Sequence, residues 1–440
     1  MRQRQRQEAG VVLIITLWVI VILASVSLAF VRQTMIEAKM VGFQRDNTIA
    51  NTVAKAGLQQ AIILLREDKI KDSGEDMSET LTRFDDDDIY QYDGGTEAWA
   101  DNPELYLDVP FYEMGDNAAY YYVSVEDEAS KFPLNNMSTT IDMIAHLLEL
   151  SGVKERDSMS LAGAIVDWRD KDDIPADLSG GNSAGGGGGN SGGGGSSSGQ
   201  GDEFSHYNSG RSGRSKRGQQ EIPQISIKNA QFSSIDELLL LPGMTPAIVF
   251  GTIDPDELQS GRTRRRRMGK GEYLGLKNLV TVYDTHVNMN TVKQEVLESL
   301  LYPTLGKDAE GVAEDWVEYR DGRDRETYTD DDNVLKTVDN HDMDDVHYTE
   351  VSSFTDEIWK SLVPRIAKIE SRLFVITCFA EYKGIEKGYR VVVDRQFTPW
   401  DQMPIFGMDT MNVEDLEQVK MQIRLFEPIY DVSQRIERMM

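Results

Sequence analysis

The chain has 440 residues, with 46 Lys and Arg against 74 Asp and Glu, a formal net charge of −28. A field of that sign repels nucleic acid and excludes general nucleic-acid binding. A single cysteine, Cys378, excludes an internal disulfide and a cysteine-cluster zinc site, and five histidines argue against a histidine-rich metal centre.

The N-terminus carries the strongest pattern. Met1 to Gly10 is a short polar leader with Arg2, Arg4 and Arg6, and Val11 to Phe30 follows without one charge. At about 1.5 Å per residue this stretch spans roughly 30 Å, the hydrocarbon thickness of a bilayer. The arginines precede it, so the leader stays cytoplasmic and the remainder crosses the membrane. Ala50, Val53, Ala54, Gly57, Leu58, Ala61, Ile62 and Leu65 then recur at helical spacing, and no proline interrupts Val11 to Asp68. One long helix is expected, its first half in lipid and its second packed on a folded head, with Gly42 as a place to bend. A secretory signal would be cut near Ser27–Ala29. The apolar stretch is long for that purpose and runs directly into amphipathic helix. Cleavage after Gly10 fits better, and a basic leader ending in glycine before an apolar helix resembles the type IV prepilins.

Asp85 to Pro110 reads as polar loop with short elements, and Ala119–Val125 as a strand rich in aromatic and β-branched residues. Ile141–Leu150 and Leu161–Trp168 are expected helices. Ser179 to Gly201 is almost only Gly, Ser and Asn, expected to be disordered and extended by the basic patch Arg211–Arg217. Ile235–Leu241 is helical and ends in Leu-Pro-Gly-Met-Thr245, and Arg264–Arg267 is a basic run. Val292–Leu301 and Ala309–Tyr319 are helices, and Thr327–Asp345 is an acidic loop. Leu373–Tyr382 and Tyr389–Val393 are strands joined by a hairpin loop, Lys383–Gly388. Beyond Pro399 the tail is mixed, with one helix-like stretch, Val413–Leu425. Strands bracketing a helical block make this α+β, a sheet domain with a large all-helical insertion. The insertion repeats itself. Pro133-Leu134-Asn135, an apolar helix, and a second helix ending Asp167-Trp168 are matched by Asn288-Met289-Asn290, an apolar helix, and a second helix ending Asp315-Trp316. The insertion is therefore two related subdomains.

Oxygen-rich clusters are the candidate ligand sites. Asp167, Asp170, Asp172 and Asp173 crowd one turn, with Glu126, Asp127 and Glu128 as candidate neighbours. Asp321, Asp324, Glu326 and Asp330–Asp332 form a second cluster. Calcium takes six to eight hard oxygens, which such runs supply, although neither run has the glycine and terminal glutamate of an EF-hand loop. The plain alternative is exposed acid in a loop. Leu240–Met244 looks like the turn of a helix-hairpin-helix, but the negative field favours a structural turn. Arg262–Arg267 reads as a solvated loop, and His341 and His347 among acids as loop surface. No nucleophile motif is recognisable, and Cys378 is most simply a buried apolar residue within a strand.

Together these features resemble the large minor pseudopilin of type II secretion systems, the general secretion pathway protein K family. Gly10 with Val11–Phe30 resembles its peptidase site and first helix. Ala164–Asp172 resembles its Asp-Trp-x-Asp-x-Asp segment. Phe232–Met244 and the pair Leu279–Tyr283 and Val287–Thr291 resemble further segments of it. The Gly/Ser loop, the arginine run and the tail have no counterpart. The resemblance implies a type IV pilin-like fold: leader 1–10, transmembrane half-helix 11–30, pilin-like domain 31–130 and 366–398, helical insertion 131–365 with a disordered loop 179–220, and tail 399–440. It implies a noncatalytic inner-membrane protein with a periplasmic head. That protein would cap the pseudopilus and help initiate its assembly, beside minor pseudopilins I and J and through them H and the major pseudopilin G. Prepilin peptidase would cut after Gly10 and methylate the amine of Val11. Ile15, fifth from Val11, stands where ordinary pilins carry glutamate, as expected at a tip with no neighbour above. Calcium is the implied ligand, with Asp170, Asp172, Asp173, Asp321 and Asp324 as candidates. The competing reading is a membrane-anchored periplasmic hydrolase.

Overall fold

The computed structural model describes residues 2–72, 90–100, 109–114, 117–172, 174–176, 227–253, 271–323, 331–335, 337–338, 348, 351–362, 365–397 and 419–429. Helix α1 spans Arg2–Asp72 and runs unbroken through Gly42. From Val12 to Phe43 its apolar side chains are exposed. From Ala50 to Leu65 the positions picked out by helical spacing are buried, among them Val53, Ala54, Leu58 and Ala61. This lower half lies on an antiparallel sheet. In chain order the strands and helices are β1 (Tyr90–Gln91), β2 (Val109–Met114), β3 (Asn117–Asp127), β4 (Phe132–Pro133), α2 (Ile141–Leu150), α3 (Glu155–Arg169), α4 (Pro246–Phe250), β5 (Val280–Thr281), β6 (Val287–Asn288), α5 (Gln294–Leu305), α6 (Ala309–Arg320), β7 (Thr337–Val338), α7 (Asp356–Leu362), β8 (Ala367–Lys368), β9 (Leu373–Tyr382), β10 (Ile385–Phe397) and β11 (Val419–Ile429).

The main sheet has the order β11-β10-β9-β3-β2. Its inner face, with Tyr121, Val123, Phe374, Ile376, Cys378, Val391 and Val393, forms one core with α1. Burying Leu58 and Leu65 there contributes about 1.5–3 kcal/mol each. Helix and sheet approach closely at Gly57, where a Cβ would stand 2.7 Å from the Tyr121 ring and 2.8 Å from Cys378 Sγ. Cys378 is buried and donates to the Ala54 carbonyl (3.1 Å). Residues between Phe132 and Ile369 form a second, larger core. The fold is thus α+β: a long helix on an antiparallel sheet, with a helical block inserted between β3 and β9.

The insertion is two copies of one design. Each opens and closes with a two-residue parallel ladder: Phe132 pairs with Val280 in the first copy, and Val287 with Ala367 in the second. Within each, a helix pair (α2 and α3, α5 and α6) follows the opening strand. An equivalent asparagine ties each copy together. Asn135 Oδ1 accepts from the Phe232 amide (2.8 Å) and its Nδ2 donates to the Phe232 carbonyl (2.9 Å). Asn290 does the same to Leu335, at 2.8 and 3.0 Å. A buried arginine ends each second helix. Arg169 donates to the Leu134 carbonyl (2.5 Å) and the Thr139 carbonyl (2.6 Å), and Arg320 to the Val292 carbonyl. These arginines shift the internal alignment. Trp168 directly precedes Arg169, whereas Trp316 lies one helical turn before Arg320. Their indoles accordingly meet different partners, Glu237 and the Met289 carbonyl.

Two further expectations are corrected. The β9–β10 connection is a two-residue turn, not a six-residue loop: Lys383 and Gly384 take φ of 52° and 73°, the pattern of a type I′ hairpin, and Ile385–Gly388 are already strand. The tail stretch expected to be helical instead holds β11, antiparallel to β10 from Gly388↔Ile429 to Phe397↔Val419. Asp394 fixes it, receiving Arg372 Nε (2.5 Å) and Arg424 Nε (2.9 Å). The Gly/Ser loop, Arg262–Arg267, His341, His347 and residues 399–418 lie outside the described residues.

Candidate functional site

Two regions carry the candidate residues. The first is the start of α1. Among the described residues one helix is long and apolar enough to cross a membrane, and it lies near the N-terminus with its apolar stretch unburied. Ile15 is 57% exposed within it. Gly10 and Val11 are helical.

The second is the acidic turn after α3. Asp170 caps the helix, its amide bonded to the Val166 carbonyl (3.1 Å). Asp167 Oδ1 accepts from the Ala176 amide (2.8 Å), and Asp172 Oδ1 from the Ile174 amide (2.9 Å). These bonds fold the turn back on itself. Asn229 arrives from the far side of the Gly/Ser stretch in a left-handed conformation, φ 48°, and donates to the Asp172 carbonyl (2.7 Å). Its Oδ1 and Asp170 Oδ1 are both buried without a hydrogen-bond partner. Burial first, then the charges of Asp172 and Asp167, push the Asp170 carboxyl up to about 6. The two orphaned oxygens are hard donors of the kind calcium takes, but the carboxyl oxygens of Asp167, Asp170 and Asp172 are not gathered within 4.8 Å of one another. Asp173 lies outside the described residues.

The second cluster is arranged differently. Asp321 holds the position of Asp170 after the buried arginine, but its Oδ1 accepts from Arg320 Nε (2.7 Å). In the first copy Arg169 Nε has no partner. Asp331 Oδ2 accepts the Arg323 amide (2.7 Å), and Gly322, at φ 67°, sits where a Cβ would meet the Asp331 carbonyl at 2.4 Å. The turn is closed by the protein's own donors and fits a cation less well. Asp324 lies outside the described residues. Glu126, Asp127 and Glu128 do not join the first cluster: Glu126 and Glu128 pair with Lys131, Glu126 also with Lys293, and Asp127 Oδ2 takes Asn288 (3.1 Å), Thr291 (2.5 Å) and Ser371 (2.5 Å).

The other motifs have structural uses. In the Leu240–Met244 turn, Gly243 takes φ 88° with Leu161 against it. His146 bridges the two copies, its Nε2 2.9 Å from Glu298 Oε1 and its ring stacked on Tyr302 at 3.8 Å. Sequence reasoning missed Asn229, whose only local sign is an asparagine just before the Phe232 segment.

A scan against protein-family models and a search of curated proteins gave no match. Among solved structures, the chain is similar to a chain of the GspK-GspI-GspJ complex of the type II secretion system of enterotoxigenic Escherichia coli. The identity is 14% and the TM-score 0.42, over 87% of this chain and 100% of the other.

Proposed function

We propose that this chain is a noncatalytic minor pseudopilin of K type, anchored in the bacterial inner membrane by α1 and carrying its head in the periplasm. The observation that carries the reading is α1 itself. A basic leader ending at Gly10 continues as one helix through the charge-free span Val11–Phe30 to the buried face Ala50–Leu65, laid on an antiparallel sheet. This is the layout of a subunit that is stored in the bilayer and drawn out by packing of its helix against others. Prepilin peptidase cuts after Gly10 and methylates Val11. Ile15 offers no carboxylate to the amine of a subunit above, where an unpaired charge in lipid costs several kcal/mol. The chain therefore sits at the pseudopilus tip, starts assembly with minor pseudopilins I and J, and connects through them to H and G. Asp170, Asp167, Asp172 and Asn229 hold a calcium ion that stiffens the first helical copy, with Asp173 as a further candidate ligand. Asp321 is held by Arg320 instead.

Cysteine crosslinking along α1 in membranes that contain all the pseudopilins tests the tip position. Crosslinks to the I and J subunits are expected, and repeated self-crosslinks along sheared pseudopili would overturn it.

A further inference from the structure

The joint between α1, the main sheet and the helical block is closed by side chains with more acid than base. Arg395, in β10, is wholly buried. Its Nη1 donates to Asp68 Oδ2 (2.8 Å) and the Leu65 carbonyl (3.1 Å), and its Nη2 to Asp93 and the Ser371 carbonyl (3.1 Å). Carboxyl oxygens of Asp68, Asp93 and Glu97 lie within 4.8 Å of one another. The guanidinium already stands among them in the place a cation would take. Lys69, whose charge also reaches Asp93, is paired with Glu370, so two cations face four carboxyls at this joint. Glu97 Oε2 accepts from the Gly94 amide (3.0 Å) and the Trp99 indole (2.8 Å), and a carboxyl oxygen of Glu97 lies within 4.8 Å of one of Asp68. Two ionised carboxylates are acceptors only and repel at this range, and a proton held between them relieves the surplus of buried negative charge.

We propose that Asp68 and Glu97 form a proton-sharing carboxyl pair, which latches the lower end of α1 to the joint in mild acid and loosens as the pH rises. The inference goes beyond the proposed function and does not depend on it. The groups that face the pair are accounted for. Asp93 is held by Arg395 and by the Ser371 amide (2.6 Å), Lys69 pairs with Glu370 (2.7 Å), and Arg372 turns to Asp394. Asp127, on β3, is engaged by Asn288, Thr291, Ser371 and the Ala129 amide; burial pushes it up to about 7 against those bonds. Burial and the charge of Asp93 push Asp68 up to about 6, against the opposing pull of Arg395 and Glu97. For a carboxyl raised in the folded state, the native chain holds a proton that the unfolded chain has released. The contribution of this proton to folding is therefore largest below about pH 4 and is lost as the pH rises to about 6. One such proton changes the folding constant by about tenfold per pH unit within the window.

The test is urea unfolding of the full chain in detergent from about pH 4 to pH 7, wild type against Glu97→Gln. The amide supplies an N–H to Asp68 at every pH. Across the window the wild-type folding constant should fall up to roughly a hundredfold further than that of the variant. The titration of Asp127 and of the surface acids is common to both and cancels. Should Glu97→Gln not fold, Asp68→Asn, which keeps an acceptor for Arg395 and donates to Glu97, serves in its place. In the infrared difference between wild type and variant, which cancels Asp127 and Asp170, a carboxylic-acid band present near pH 5 and gone by pH 7 is expected. Parallel pH profiles for wild type and a folded variant, or absence of that band, would overturn the proposal.

Discussion

At Gly57 the long helix packs close against the sheet, and giving it a side chain tests how the head holds its membrane helix. In Gly57→Ala the added methyl would lie 2.7 Å from Tyr121 Cδ2, 2.8 Å from Cys378 Sγ and 3.0 Å from Val123 Cγ2. None of these can swing away, because Tyr121, Val123 and Cys378 are all buried in one core. Overpacking of this kind costs about 1–3 kcal/mol. Replacing a mid-helix glycine by alanine returns about 0.5–1 kcal/mol, so a net loss of about 1–2 kcal/mol is expected, and more for Gly57→Val. Cys378 is the only cysteine in the chain, and it is buried under this helix. Its labelling by a thiol reagent therefore reports opening of the helix–sheet contact. The loss should raise the labelling rate by roughly 5–30-fold under conditions where opening is a fast pre-equilibrium. If labelling in Gly57→Ala is unchanged or slower, helix propensity has outweighed the clash, and the close approach is not what the structure implies.

Three other outcomes follow from single side chains. Calcium at a hundred times its dissociation constant should stabilise the chain by about 2.7 kcal/mol over chelator in thermal melts; Asp170→Ala should abolish the difference and Asp321→Asn should leave it, and identical melts of wild type would refute the site. Asp394→Ala should leave Arg372 and Arg424 without their shared partner and release β11, read as protease cleavage within 399–429 at concentrations that spare the wild type. Burial raises the Asp394 carboxyl but Arg372 and Arg424 hold it below the usual range; its contribution is thus present above about pH 4 and lost as the pH falls below that value, and a β11 protected equally at neutral pH and in strong acid would contradict this. Gly10→Val should leave the precursor uncut, because the peptidase must admit a backbone without a side chain; a normal mature size on a gel would count against it.

How much was legible in the sequence depended on whether a local pattern had a competitor. Ile141–Leu150 was readable to the residue, because its apolar positions fit only a helical period and Thr140 caps it. The face Ala50–Leu65 was readable for the same reason. The tail was not: Leu416, Val419 and Ile423 fit a helix, while Val419, Met421, Ile423 and Leu425 fit a strand. Pairing with β10 decides between them, a long-range fact. Gly388 suggested loop, yet it lies in a strand because Phe379 occupies the space of its missing side chain, 2.8 Å from where a Cβ would be. The matching Asp-Trp pairs set the internal alignment one turn off, since burial of Arg169 and Arg320 against carbonyls leaves no sign in the sequence. At the acidic turn, the aspartates were visible as a run. Asn229 was not, because it reaches Asp172 from 57 positions away.

Mass spectrometry of the mature N-terminus, from membranes of a host with an active prepilin peptidase, tests the central claim most directly. The account predicts a chain beginning at N-methylated Val11, with Met1–Gly10 removed. An intact Met1, or a start near Phe30, would contradict it.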